Sequence, residues 1–411
     1  MSERTILHVD LNNFYASVAQ LYNPELKGKA FVISGNPETR HGVVLAKNDI
    51  AKKAGIVTGE TLADAKRKVK NLYAMPTDFS KYAYKSAQVK SICAEYTPLI
   101  ESFGLDECWL DVTGSVNLFG NGEKIAEEIR QRVKIETGLT VSIGVSFNKV
   151  FAKLGSDLKK PDAVTVINKE NFRTKIWNLP VNSLLFVGKS LERKLQTLGI
   201  VTIGDLAKTD ETTLKAVTGK SGAKLYQYAN GEDDEEVDPS ADAKAPESIS
   251  NGITAPKDID NYFDAKSLIY SLSDIVAYRL RKHAMIANGI SIGICDNKLV
   301  TFSRQEKLLM PTIDARVIAE TAFGMLKRNF EFLTDRKIRG ITIGTYLLKS
   351  QNEYFQDCFF FFNKKKINKI DDKIGSLREK YGFGIVKRAI QINPGFSCSP
   401  KETGIDNSDK K

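Results

Sequence analysis

An apolar run, Ile6 to Val9, opens the chain and ends on an acid, Asp10. A short run of this kind predicts a buried strand, and the spacing from about Phe14 predicts a helix. Two more strands are expected in "KAFVIS" (29–34) and "GVVLA" (42–46), around the loop "GNPETRH". Residues 48–70 read as helical with a break at "AGIVTGE", and 81–97 as an amphipathic helix stopped before Pro98. A hairpin over 100–114, a helix over 122–138 ending at Gly138 and a strand over 140–146 complete this stretch. The order β, insertion, α, β-β, α, β matches a ferredoxin-like split sheet with a small module spliced in after its first strand and helix.

Residues 166 to about 231 read as helical, with two glycine-hinged turns in "LLFVGKSLERKLQTLGIVTIGDL" and "VTGKSGAKLYQYANG". The acidic stretch that follows, rich in Pro, Ala and Ser and without periodicity, reads as a linker over 232–243. Strands and helices alternate again to 345, predicting a second compact α+β unit. Beyond it lie the aromatic "CFFFFN", a lysine-rich helix and a polar tail expected to be disordered. The 411 residues thus suit about two to four domains. A formal charge of +10 points to a polyanionic partner, nucleic acid above all. No apolar run is long enough for a membrane span and the N-terminus lacks a secretory layout. The five cysteines are scattered without CxxC spacing, which suits reduced thiols in a cytoplasmic protein.

The hairpin "IESFGLDECWLDVTG" raises the chemical question, because Asp106 and Glu107 sit side by side in an otherwise apolar element. Alone, such a pair is more often a solvated turn. In a split sheet, however, the hairpin lies next to the first strand, and Asp10 joins the two acids. Three converging carboxylates repel and are expensive to bury unless cations compensate. Two divalent ions would do so, and Mg²⁺ suits an all-oxygen site that also meets phosphates. Asp111 reads as a strand-end acid without a catalytic role.

"HVDLNNFYASV", "FGLDECWLDVTG" and "VSIGVSFNKVFAKLGSDLKKPDA" (141–163) together resemble the palm of the Y-family DNA polymerases, the translesion enzymes. The likeness runs in order over roughly residues 5–345. It implies an α+β multidomain right hand: a ferredoxin-like palm (1–18 and 78–165), small fingers (19–77), a helical helix-hairpin-helix thumb (166–231) and a C-terminal α+β little finger (244–345). Residues 346–411 form a C-terminal extension. The implied activity is low-fidelity, template-directed extension of a primer with dNTPs, without proofreading, in DNA damage tolerance.

By the same resemblance, Asp10, Asp106, Glu107 and the backbone carbonyl of Leu11 face two Mg²⁺ ions. Tyr15 is the steric gate that collides with a ribose 2′-hydroxyl; Phe14 beside it is counted with the nucleotide-binding residues, though its ring reads foremost as a core aromatic. Lys160 reaches the triphosphate as a point charge. The fingers depart from the family, which has Tyr and Arg where this chain has Asp49 and Lys52. Lys52 keeps the charge without the bidentate fork, and Asp49 is expected to turn away or to bind Lys47 or Lys53. Asn12 stands where many relatives carry another acid.

For primer–template DNA, the resemblance points to turn amides around Val187, Gly188 and Lys189. In the little finger it points to Ser248, Ser250, Asn251, Thr301, Ser303, Arg304 and Arg339, on strands laid against a duplex backbone. Gln356, Phe359 and Phe360 fit a peptide for the replication sliding clamp; Gln351 with Tyr354 and Phe355 is an alternative, and plain hydrophobic packing another. A monomer is expected, with no membrane partner. The rival readings are a non-catalytic repair scaffold, which should have lost one of the three acids, and a nucleotide cyclase, which needs no duplex grip.

Overall fold

The computed structural model describes residues 3–36, 42–240, 244–333, 335–351, 373–378, 380–382 and 384–392. The chain divides into two compact units, residues 1–34 with 43–244 and, in the main, residues from 245 onward.

The first unit opens with β1 (Ile6–Leu11) and α1 (Phe14–Tyr22). A small module follows: β2 (Phe31–Ser34), β3 (Val44–Lys47), α2 (Asp49–Lys53), α3 (Leu62–Lys68) and β4 (Tyr73–Met75). The chain returns through α4 (Phe79–Ala94), β5 (Ile100–Ser102), β6 (Glu107–Asp111), α5 (Val116–Phe119), α6 (Gly122–Thr137), β7 (Val141–Ser146), α7 (Lys149–Leu158) and β8 (Val164–Ile167). The large sheet has the order β5-β6-β1-β7-β8, which is the expected split sheet extended at one edge by β8. The spliced module forms its own sheet, β3-β2-β4. Neither β4 nor β8 is foreseen in the sequence, since each is too short for a period to declare itself.

Alternation along β1 divides its side chains between two faces. Leu7, Val9 and Leu11 join a core with Val89 and Ile92 of α4 and Ile125, Ile129 and Val133 of α6. Ile6, His8 and Asp10 face the other way. There α7 lies on the sheet, with Ile6, Trp109 and Ala152 in a smaller apolar cluster. Close approach of α7 depends on Gly144, which lies opposite His8 in the β1–β7 register. A Cβ at that position would fall 1.8 Å from the Ala152 carbonyl oxygen.

Helices α8 (Phe172–Ile176), α9 (Lys189–Gln196), α10 (Ile203–Lys208), α11 (Glu211–Thr218) and α12 (Lys220–Asn230) follow around their own core. The next residues are not a free linker. The Glu101 carboxylate accepts from the Asp238 amide at 2.8 Å while pairing with Lys149 Nζ at 2.7 Å. Arg4 donates to the Glu235 carbonyl at 2.8 Å, and Val237 is buried beside Trp109. Of the acids that read as solvated, Glu235 is here matched to Lys149 and Lys224, and its backbone carbonyl to Arg4.

The second unit is a four-stranded sheet of order β11-β10-β12-β9, built from β9 (Ile249–Ile259), β10 (Met285–Asp296), β11 (Thr301–Thr312) and β12 (Ile338–Ser350). Helices α13 (Tyr262–Lys282) and α14 (Ala315–Asn329) supply its core, with Leu268, Leu272, Ile318 and Leu326 packed on Ile290, Ile292, Ile341 and Ile343. Strand β12 runs five residues past the expected limit at 345. Among the described residues, no helix is long and apolar enough to cross a membrane.

Candidate active site

The split sheet brings Asp10 and Glu107 directly opposite each other on neighbouring central strands. Side chains opposed in this way share a face, so two carboxylates meet where one alone would already be unfavourable. His8, two residues back on the same face, completes the group: one ligand atom from each of His8, Asp10 and Glu107 lies within 4.8 Å of the others. His8 is fully buried, with Nδ1 2.9 Å from the Ser156 hydroxyl and Nε2 3.2 Å from Glu107 Oε2. Its position was open to inference from the i, i+2 spacing to Asp10, but a lone histidine in an apolar strand passes for core.

Two lysines stand on these acids. Lys160 Nζ is 2.7 Å from Asp10 Oδ2 and 2.8 Å from Asp157 Oδ1. Lys153 of α7 pairs with Glu107. Burial pushes the Asp10 carboxyl up to about 6, against the pull of Lys160. Burial also works to raise Glu107, yet His8 and Lys153 outweigh it and hold that carboxyl at about 2. Burial and the neighbouring Glu107 raise Asp106. The environment therefore treats the three acids differently: Glu107 and Asp10 each bear an ammonium group, and Asp106 has none of its own.

Asp106 stands just before β6, with its carbonyl accepting from the Leu11 amide at 2.9 Å. Its carboxylate is outside the tight His8–Asp10–Glu107 group, so the expected convergence of three acids is met by two of them in this arrangement. It lies toward Tyr15, whose hydroxyl is raised by burial and then by the Asp106 charge. Tyr15 is half-buried and stacks on Tyr82 with ring centroids 4.4 Å apart, whereas Phe14 is 3% exposed in the core. Burial removes the Phe14 side chain from nucleotide contact, a correction to its place among the substrate residues.

Family models match along the chain: the impB/mucB/samB family over residues 9–157, its C-terminal domain over 246–356, and the thumb domain of DNA polymerase-iota over 183–233. DNA polymerase IV of Acetivibrio thermocellus is 45% identical over 95% of this chain and 98% of its own length. DNA polymerase IV of Clostridium kluyveri is 34% identical over 95% and 98%. The chain belongs to the Y-family DNA polymerases. A solved Y-family DNA polymerase chimera, 24% identical, shares the fold with a TM-score of 0.74 over 84% of this chain and 99% of that one. As a family member the chain is a DNA-directed DNA polymerase of the translesion class, a right hand with palm, fingers, helical thumb and little finger.

Other residues of this polymerase sit where local bonding puts them. Asn12 uses both ends of its amide, donating to Ser142 Oγ at 2.9 Å and accepting from the Asp162 amide at 2.9 Å. A carboxylate could not donate to Ser142; the bond accepted from the Asp162 amide fixes the loop that carries Lys160. Asp49 is held neither by Lys47 nor by Lys53; its carboxylate accepts from Asn13 Nδ2 at 2.8 Å, at the start of α2 where the helix dipole favours an anion. Lys47 binds Thr58 instead, and Lys52 is exposed on the last turn of α2. Asp111 lies at the far end of β6, opposite Ile6, and caps the Thr113 amide.

Among the expected DNA contacts, Gly188 and Lys189 are exposed at the start of α9. Val187 is buried and its amide is committed to the Leu184 carbonyl, so it cannot meet a phosphate. In the second unit Ser248, Ser250, Thr301 and Ser303 are exposed, and Arg339 is half-buried at the start of β12. Asn251 is 6% exposed on the helix side of the sheet, with neighbours Ile249 and Ile253 in the core, and is not a surface contact. Arg304 also leaves the open face: its Nε donates to Asn329 of α14 and its guanidinium stacks on Phe302. Gln356, Phe359 and Phe360 lie outside the described residues.

Proposed function

We propose that this polymerase extends the 3′-hydroxyl of a DNA primer with dNTPs by two-metal nucleotidyl transfer, serving damage tolerance in the cytoplasm without proofreading. The observation that carries this reading is the opposition of Asp10 and Glu107, each already bearing an ammonium group, at the ends of the central strands. The donor set fits a hard cation, because oxygen ligands dominate and the stand-in cations show that positive charge is accommodated there. Asp10, Asp106, Glu107 and the Leu11 carbonyl are the groups that would hold two Mg²⁺ ions. When bound, the ions activate the primer hydroxyl and stabilise the charge of the triphosphate and pyrophosphate. Asn12 holds the loop of Lys160 so that this ammonium can pass from Asp10 to the triphosphate. Lys52 offers a second, less directional charge.

The assignment of domains follows the same reading, with the palm over 1–18 and 78–165, the fingers over 19–77 and the thumb over 166–231. The tether to the little finger starts after Asp238 rather than at 232, and the little finger extends to Ser350. Its open sheet face is built from small residues, Ser250, Ser291, Ser303 and Thr342 with Gly252, Gly293 and Gly344 between them, which permits close approach of a phosphate backbone.

Primer extension with Mg²⁺ and the four dNTPs tests the reading, with Asp106→Ala expected to abolish it. No extension by the wild type, or full extension by that variant, would sink it. For the gate, Tyr15→Ala should raise ribonucleotide use by about 10- to 100-fold, read as the ratio of kcat/KM for rNTP and dNTP. An unchanged ratio removes Tyr15 from sugar selection.

A further inference from the structure

Lys153 has so far been described only as a partner of Glu107, and its placement carries an inference that rests on the polymerase reading and deepens it. Its side chain is only 16% exposed, and its ammonium is bound to Glu107. The same ammonium lies 5.1 Å over the ring of Phe103. Lys160 holds Asp10 from the other side, so the two lysines divide the opposed carboxylates between them. His8 closes the floor beneath Glu107, with Nε2 3.2 Å from Glu107 Oε2. A charged lysine on a helix is normally solvated; here it is turned inward onto a predicted metal ligand.

We infer that Lys153 is an internal counter-cation that competes with the divalent ion for Glu107 while no nucleotide is bound, so that the metal site fills together with the triphosphate rather than ahead of it. Formal charge supports this order. Asp10, Asp106, Glu107 and Asp157 against Lys153 and Lys160 leave two negative charges in the free site. Two divalent ions alone would turn that into an excess of positive charge between two fixed ammonium groups. A triphosphate carries the matching negative charge, so only joint arrival leaves the balance unaltered. When Glu107 turns to the ion, the face of Phe103 gives the Lys153 ammonium a favourable place to remain. Lys153 is a positioning residue in this scheme, acting through Glu107.

Mn²⁺ binding to the full chain, without DNA or nucleotide and followed by the paramagnetic signal of the free ion, tests the inference. Lys153→Met keeps the unbranched stem, one heavy atom shorter, and removes the charge. It should bind Mn²⁺ roughly tenfold more tightly than the wild type, the effect of removing one nearby partly screened charge. Lys153→Arg should return the wild-type affinity, and Lys153→Gln should follow the Met variant, guarding against a single misfolded protein. A merely structural ion pair predicts equal or weaker Mn²⁺ binding in Lys153→Met, and that result in a protein of wild-type circular dichroism overturns the inference. Extension of a primer by the wild type is measured separately, so failure of the polymerase reading is seen there and failure of the counter-cation here.

Discussion

Asp10→Asn should lower primer extension by about 10³-fold or more, while primer–template affinity stays within about threefold of the wild type. The substitution keeps size and shape in a position that is 5% exposed, so little repacking is required. What it removes is the charge that faces Glu107 and holds Lys160. An amide still reaches Lys160 poorly, because both groups donate and only the amide oxygen accepts. The loss of several kcal/mol of charge stabilisation at the reacting phosphate corresponds to a rate factor of this size. Asp111→Asn is the matched control, since that acid sits at the opposite end of β6 and caps a backbone amide; it should extend primers within about twofold of the wild type. Residual activity of Asp10→Asn within tenfold of the wild type would remove Asp10 from the chemistry.

The acids of this site were legible because they break local expectation. Asp10 ends an apolar run and Asp106–Glu107 interrupts an apolar hairpin, so each is conspicuous against its neighbours. Their counter-charges were not. Lys153 reads as one more cation on a helix, and its inward direction follows only from the packing of α7 on the sheet. The same difficulty hid the docking of residues 233–238, whose partners Arg4, Glu101 and Lys149 are remote in sequence.

Strand faces show the limit from another side. Ser250 and Asn251 are both polar, yet alternation sends one out and the other into the core. The apolar neighbours Ile249 and Ile253 already marked Asn251 as inward-facing. Arg304 follows the same alternation, opposite the core residue Ile292 in the β10–β11 register, and Asn329 of α14 holds it there. Element order survives such local uncertainty, since the apolar pattern of long helices and of the central strands is redundant over many residues.

Gly144→Ala should be among the most damaging single methyl additions in the chain, lowering stability by about 3 kcal/mol or more and extension by about 10²-fold in whatever fraction still folds. The added carbon would fall 1.8 Å from the Ala152 carbonyl oxygen and 2.6 Å from the Ser156 amide, both backbone atoms of α7. No rotamer change relieves a clash between backbone and Cβ, so the helix must move away from β7. A Cβ added at Gly155 would likewise fall 3.1 Å from the Gly144 Cα, so the contact is tight from both sides. Helix α7 carries Lys153 to Glu107 and Ser156 to His8, and it leads directly into the loop of Lys160. Displacing it by even an ångström therefore loosens all three groups around Asp10 and Glu107 at once. The checks are the thermal transition of the variant and its kcat in primer extension. An unchanged melting temperature would show that α7 does not need the close seat on β7, and the path from this glycine to the carboxylates would have to be abandoned.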